Sequence, residues 1–250
     1  NSTGFSLIGN NAPTNGTNLT YASWTFRKAP KFFDVVTYTG TGVARTVSHN
    51  LGSVPGCIIV KGTSGSNSNW MVYHRANTSA PETDYLILNG TDATTDTSSI
   101  WNDTAPTDTE FTVGDQNFVN ASGVTYVAYL FAHDAGGFGD DGEQNVISCG
   151  SFVPSAIPLD INLGYEPQWV MIKNASGVGD WWMLDNMRAF TAPDTPSAYL
   201  KANLSNSEAS TTGVAAVTST GFQFRLTSSS DTYIYIAIRR PMKTPESGTE

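Results

Sequence analysis

Three histidines are the residues of this sequence most suited to acid–base catalysis or metal binding near neutral pH. They are His49, His74 and His133, all in the first part of the chain. The sequence contains no HExxH, GxSxG, P-loop or dinucleotide-binding motif that would place them in a catalytic setting. We therefore expect no enzymatic activity.

Carboxylates are the second group that could do chemistry, since glycoside hydrolysis needs two of them about 5 to 10 Å apart. The candidates lie mostly in Thr- and Asp-rich turns, where Asp commonly bonds its own backbone. They are Asp84, Asp92, Asp96, Glu110 and Asp115. Turn formation is the favoured interpretation, and a polysaccharide depolymerase is the alternative.

One glycine-rich segment has the densest set of carboxylate oxygens in the sequence. Its acidic residues are Asp134, Asp140, Asp141 and Glu143. Calcium binds six to eight oxygen ligands, but the spacing here is not that of an EF-hand. We interpret residues 139–143 first as a flexible linker and second as a calcium site, and we expect no other cofactor.

Six tryptophans suggest sugar binding, because flat aromatic rings present apolar faces to a ligand. Trp70 and Trp182 recur at matching positions of a repeated pattern, which favours packing in the core. Trp101 and Trp181 have no such match and are predicted to be exposed. Together with Asn102, Asp103 and Asp180 they form the predicted glycan-contact patch.

The sequence repeats itself at an offset of about 110 residues, which is the size of a domain. Residues 50–61 (NLGSVPGCIIVK) match residues 162–173 (NLGYEPQWVMIK), and residues 125–131 match residues 232–238. The pattern predicts two homologous domains in tandem. The second copy carries no histidine at the corresponding positions, so no histidine site is duplicated.

A third, partial copy lies near the first residues, where residues 20–28 resemble residues 232–240. We expect residues 1–30 to be the terminal strands of a preceding repeat or strands that complete the first domain, and we favour the preceding repeat. The remaining predicted boundaries are residues 31–138 for repeat 1, 139–143 for the linker, 144–243 for repeat 2 and 244–250 for a C-terminal linker.

Composition and turn signals indicate the fold class. Charged residues make up only 14%, the net charge is −9, and Gly is abundant. Short β-rich runs end at turn residues, as at Gly52 and Gly164, each with a proline three residues later. We count seven or eight strands per repeat and predict antiparallel, jelly-roll-like β-sandwiches. A helical turn is expected only near residues 185–188.

Charge and hydropathy also limit the partners. A net charge of −9 disfavours nucleic acid as a partner, and no run reaches the roughly 20 apolar residues that cross a bilayer.

Cys57 and Cys149 lie at non-equivalent positions of the two repeats. Buried free thiols are therefore favoured, and a disulfide between them is the alternative. Residues 126–131 are apolar on both alternating faces, which predicts that a neighbouring repeat or another chain covers the second face.

Four long motifs resemble a repeated β-domain of tailed-phage virion proteins that is common in marine phages. They are SWTFRKAPKFFDVVTY at residues 23–38, HNLG at 49–52, YVAYLFAHD at 126–134 and RRPMKTP at 239–245. The resemblance covers nearly the whole chain and carries no catalytic residue.

The resemblance implies a virion location and a structural module of a tail fibre or other surface appendage. The implied partners are other virion proteins, further copies of the same chain and a host-surface polysaccharide. A tail-fibre depolymerase domain and a capsid decoration protein are the alternatives. Many weak sites on one fibre could together give strong attachment.

Overall fold

Short antiparallel strands form most of the regular structure in the computed structural model, which describes residues 5–9, 12–65 and 69–240. The strands of the first half are β1 (Phe33–Thr39), β2 (Arg45–Ser48), β3 (Cys57–Gly62), β4 (Trp70–His74), β5 (Asp84–Ile87), β6 (Thr95–Asp96), β7 (Glu110–Val113) and β8 (Thr125–Phe131). The strands of the second half are β9 (Ile147–Phe152), β10 (Leu159–Asn162), β11 (Pro167–Asn174), β12 (Trp181–Asp185), β13 (Ser197–Lys201), β14 (Ala209–Thr211), β15 (Ala215–Thr218), β16 (Gly221–Phe224) and β17 (Tyr233–Arg239).

The helices are single turns. They are α1 (Ala12–Asn15), α2 (Ser98–Trp101), α3 (Asn117–Asn120) and two 3-10 turns, Pro81–Thr83 and Asn186–Arg188. The turn at Asn186–Arg188 was expected from the sequence. In the described part of the chain, no helix has the length and apolar character to cross a membrane.

Each half contains one six-stranded sheet and one small sheet. Sheet 1 has the order β1-β8-β3-β4-β5-β6, and sheet 2, read from its opposite edge, has the order β9-β17-β11-β12-β13-β14. The small sheets are β2-β7 in the first half and β10-β16-β15 in the second. The all-β, antiparallel fold class predicted from the sequence is confirmed. The two halves share one strand order, whereas their origin by duplication and the predicted domain boundaries stay predictions.

The two large sheets pack against each other through a shared core. Along β11 the side chains alternate, so that Trp169 and Met171 belong to a core cluster that also contains sheet 1 residues, while Val170 and Ile172 face the small sheet of the second half. β17 divides its residues between the same two clusters. The second apolar face expected for the closing strands is thus covered by the other half.

No strand forms in the described residues before Phe33, where the sequence predicted strands. Residues 244–250, the predicted C-terminal linker, lie outside the described residues.

Cys57 and Cys149 are both buried and free, and burial raises the pKa of each thiol. Free buried thiols were the favoured expectation.

Candidate functional site

Residues 20–28, which we call the strap, cross the region where the two large sheets meet. Trp24 and Phe26 are half-buried, whereas Ser23, Thr25 and Arg27 are exposed, an alternation typical of extended backbone. The backbone of residues 22–28 makes no hydrogen bond with any other described residue. The strap is therefore held by its side chains.

Trp24 attaches the strap to sheet 2. Its indole N–H donates to Asp185 Oδ2 at 2.9 Å, and the Arg188 guanidinium lies 5.1 Å from the Trp24 ring centroid. Asp185 also begins the 3-10 turn, because its Oδ1 accepts the Arg188 backbone N–H at 3.0 Å. Arg188 Nε donates to Asp185 Oδ2 at 2.8 Å, so this acid and base neutralise each other.

Phe26 attaches the strap to both sheets. Its ring centroid lies 5.7 Å from that of Phe33, 6.0 Å from that of Phe131 and 5.8 Å from that of Trp169. Lys28 then pairs with the buried Asp34 at 2.6 Å. Burial alone would raise the pKa of Asp34, but Lys28 and two backbone N–H groups outweigh it and lower that pKa.

A cavity of about 380 Å³, the strap cavity, lies between the strap, the first residues of β11 and the 3-10 turn. Residues 21–26, Gln168, Trp169 and residues 185–188 line it. Tyr21 and Met187 are exposed at 44% and 90% of their surfaces, so the cavity is reached from solvent between them.

One buried donor beside the strap cavity, the Trp169 indole N–H, has no hydrogen-bond partner among the described residues. Trp169 is only 6% exposed. Gln168 and Asn186 also line the cavity, and both residues are half-exposed. A buried donor without a partner costs about 1–3 kcal/mol, and the Trp169 Nε1 atom is enclosed by neighbouring protein atoms.

A larger cavity of about 770 Å³, the inter-sheet cavity, lies under the same strap. Apolar side chains from both sheets line it, among them Ile59, Tyr129, Met171 and Met183. Trp24, Phe26 and Trp169 border both cavities. This arrangement can hold apolar groups but offers little hydrogen bonding.

Two histidines that have no counterpart in the second half join the halves. His74 Nδ1 accepts the Ala76 N–H at 3.3 Å, so Nε2 carries the proton and donates to Tyr235 O at 3.0 Å. Burial lowers the pKa of His74 to about 4. His133 Nδ1 accepts the Cys149 N–H at 3.1 Å. Both side chains bond backbone groups of the second half.

Lys173 joins the halves from the other side. Its buried Nζ donates to the carbonyls of Thr91 at 3.2 Å, Asn174 at 2.5 Å and Gly177 at 3.3 Å. Burial lowers the pKa of Lys173 to about 8, although Asp92 and Asp180 act against that shift. The Thr91 carbonyl belongs to the first half and Lys173 to the second. This ammonium group is therefore part of the junction between the two halves.

The predicted glycan patch does not form, because its two tryptophans are buried. Trp101 and Trp181 are each 2% exposed. Trp101 lies in α2 and donates to Asp84 O at 3.0 Å, while Trp181 donates to Ile87 O at 2.9 Å, across the junction. The expectation of exposed rings was wrong for both.

A one-residue shift explains the error at Trp181. Lys61 lies opposite Trp70 in the β3–β4 pair, whereas Lys173 lies opposite Trp181, not Trp182, in the β11–β12 pair. The second hairpin is one residue shorter, so Trp181 takes the place of Trp70 and Trp182 turns to the opposite face.

The polar members of the predicted patch lie apart from one another. Asn102 and Asp103 are exposed in left-handed backbone after α2, with φ of 55° and 46°. Asp180 pairs with Lys201 at 2.7 Å and accepts a hydrogen bond from Asn203. Each is accounted for by its local turn or ion pair.

The carboxylates of the predicted calcium site are not brought together. Asp134 accepts a hydrogen bond from Ser148, and Asp141 caps the backbone N–H of Glu143 at 3.0 Å. Within the ranges that the structure describes, no group of three or more His, Cys, Asp or Glu side chains has a metal-binding arrangement. Asp140 and Glu143 therefore do not join Asp134 and Asp141 in a common site.

The strap cavity was missed by the sequence reasoning, although two signals point to it. One is the strap itself, an alternating segment that lacks the rest of its repeat. The other is Trp169, which stands where the first repeat has Cys57. Such differences between matched positions mark contacts outside the repeated fold.

The molecule is thus an all-β protein made of stacked antiparallel sheets, with a strap cavity at their junction. The chain belongs to the family described as Domain of unknown function (DUF7483), whose model matches residues 1–241. No curated protein matches the chain, and no solved structure matches it.

Proposed function

We propose that this chain is a non-catalytic structural module of a virion surface appendage such as a tail fibre. The observation that supports it best is the shared core between sheet 1 and sheet 2, which makes the two halves parts of one body. The virion location rests on the resemblance of residues 23–38 and 126–134 to phage virion proteins. Other virion chains and further copies of this chain are the proposed partners.

The use of the reactive side chains supports a structural role. His74, His133 and Lys173 hold backbone groups across the junction, and both thiols are packed in the core. Groups engaged in this way are positioned to hold the fold together, since breaking a buried hydrogen bond leaves its partner unsatisfied.

A depolymerase remains the second candidate because of one pair of carboxylates. Asp84 and Asp96 lie opposite each other in the β5–β6 pair, a placement that puts two Cβ atoms about 5 Å apart. Asp84 is buried and accepts a hydrogen bond from Thr78, and neither residue lines the strap cavity or the inter-sheet cavity. Reducing ends released from host polysaccharide by the chain, and not by Asp96→Asn, would favour this activity.

Immunogold labelling of purified particles tests the proposed function directly. An antibody against this chain is expected to label an appendage of the virion. Label spread over the shell would favour a capsid decoration protein instead. Absence of the chain from washed particles, measured by mass spectrometry, would refute a virion role altogether.

A further inference from the structure

We propose that the inter-sheet cavity binds the aliphatic tail of an uncharged amphiphile. This inference goes beyond the structural role proposed above and does not depend on it, because it concerns the isolated protein. It rests on the chemistry of the cavity walls, on the arrangement of their side chains in rows and on the way in which the strap closes the cavity.

The walls of the inter-sheet cavity carry no charged residue. Ser23 and Thr25 contribute hydroxyl groups, and the other lining residues are aliphatic, aromatic or methionine. Its volume of about 770 Å³ lies within the range of about 300–1,000 Å³ that is typical of small-ligand sites. A charged group, or the amide groups of a peptide, would lose water there and gain few partners from these side chains. Hydrocarbon is the ligand chemistry that suits such walls.

Sheet 1 forms one wall of the cavity with a continuous row of side chains. Val35, Tyr129 and Ile59 lie directly opposite one another on β1, β8 and β3. The Trp70 ring stacks on that of Tyr129 with the centroids 6.3 Å apart, and Leu88 lies beside Trp70, to whose carbonyl its N–H donates at 3.0 Å. Neighbouring strands are about 4.8 Å apart, so this row is roughly 19 Å long. A wall of this length suits an extended tail.

Sheet 2 forms the opposite wall with side chains that can adapt to a ligand. Met171 and Met183 lie opposite each other on β11 and β12, and Ala202 lines the cavity just after β13. Methionine is unbranched and fills irregular spaces. Tyr129 and Met183 are only half-buried although they line the cavity, so apolar surface is left in contact with water. A tail that displaced this water would bind favourably.

The strap gives the tail a route into the cavity. Trp24 and Phe26 border the cavity, while the backbone of residues 22–28 makes no hydrogen bond with any other described residue. The strap can therefore shift without breaking backbone hydrogen bonds. The Ser23 and Thr25 hydroxyls line the same cavity and can bond the hydroxyl end of an amphiphile.

The methyl resonances of the protein labelled with 13C-methyl methionine test this inference. The probes are hexanol, octanol and decanol, each a straight-chain primary alcohol added below its solubility limit. We expect saturable shifts of the Met171 and Met183 methyl groups. Met71, which lies opposite Val60 on the other face of sheet 1, should not shift. The dissociation constant should fall about fourfold for each added methylene group.

Two variants connect the binding to the cavity. Ala202→Trp places a large ring in the cavity, and Met183→Gln places an amide in its apolar wall while Met171 still reports binding. Each is expected to weaken decanol binding on the order of tenfold or more. Ala192→Trp is the matched control, because Ala192 is exposed and does not line the inter-sheet cavity, and its affinity should equal that of the parent.

Four results would overturn the inference. They are no saturable shift with decanol, equal shifts of Met71 and Met171, an affinity that does not rise with tail length, and undiminished decanol affinity in both Ala202→Trp and Met183→Gln. A shift of Met171 on concentrating the protein without alcohol would assign the cavity to a second copy of the chain and would also overturn it. Immunogold labelling is independent of all these results, so the proposed structural role would still stand.

Discussion

Lys61 and Lys173 occupy the same place in the two halves but have different surroundings. Each follows the NLG turn at the same distance, and each lies opposite a tryptophan on the next strand. Lys61 is partly exposed, with Nζ 5.7 Å from the Trp70 ring centroid. Lys173 is buried and holds three carbonyls. The same position of the repeat therefore lies at the surface in the first half and at the junction in the second half.

The residues just before these lysines show the same contrast. Gly56 lies at the junction, where His133 and Cys149 pack against it, and Cys57 belongs to the same core cluster as Cys149. Their counterparts Gln168 and Trp169 line the strap cavity. At these two positions the residues differ between the halves, and so do the regions that the two sheets meet.

Acidification is expected to have the largest effect on this junction. Unfolded His74 takes up a proton near pH 6.5, but folded His74 does so only near pH 4, so its contribution to stability is complete above pH 6.5 and lost as the pH falls to 4. At about 1.4 kcal/mol per pH unit this loss is about 3 kcal/mol. Burial also lowers the pKa of His49 and His133, which adds to the loss. Urea unfolding at several pH values measures it.

His74→Gln is the control for this pH dependence. Glutamine keeps an N–H donor for Tyr235 O and does not titrate. Its free energy of unfolding should fall less steeply between pH 6.5 and 4 than that of the parent. An unchanged slope would show that His74 is not the group responsible.

Lys173→Met is expected to lower the free energy of unfolding by about 3 kcal/mol, because carbonyls of Thr91, Asn174 and Gly177 lose a buried donor. Lys61→Met is the matched variant. It should cost about 1 kcal/mol or less, since Lys61 is partly exposed and water can replace the contacts that its ammonium group loses. Equal losses in the two variants would break the comparison between the halves.

Gly56→Ala should destabilise the junction by about 2 kcal/mol through overpacking. An added Cβ would lie 2.7 Å from His133 Cβ and 2.8 Å from Cys149 Cβ, atoms that cannot swing away. Gly213→Ala, where the nearest atom would be 3.4 Å away, is the control and should change the melting temperature little. A neutral Gly56→Ala would mean that the halves are packed loosely there.

Gly52→Ala and Gly164→Ala should have the smallest effects, about 1 kcal/mol each. Both glycines have positive φ, 72° and 77°, which an L-residue adopts at a cost, and neither added Cβ would meet a neighbour closer than 3.6 Å. Thermal unfolding should give the same loss for both. A clear difference would mean that the two NLG turns are not equivalent.

Local patterns explain which parts of the fold could be predicted from the sequence. The strands around Ile59 and Met171 follow from β-branched and apolar runs, and the turns at Gly52 and Gly164 follow from glycine with a nearby proline. Nothing local shows that sheet 1 packs on sheet 2. Only the two apolar faces of β8 indicated that something covers it.

The candidate site was harder to predict, because it depends on contacts between distant residues. Trp101 sits in a four-residue helix, too short to show a periodic pattern, so its burial left no signal. The shortened hairpin before Trp181 exchanged the roles of two adjacent tryptophans. The strap cavity needs residues 21–26 and 185–188 side by side, which no spacing in the sequence reveals.

Calorimetry of the whole chain tests the central claim, that the two halves form one body through a shared core. The account predicts a single thermal transition with equal calorimetric and van't Hoff enthalpies. It further predicts that Lys173→Met moves this whole transition to lower temperature. Two separate transitions, with Lys173→Met shifting only one of them, would contradict it.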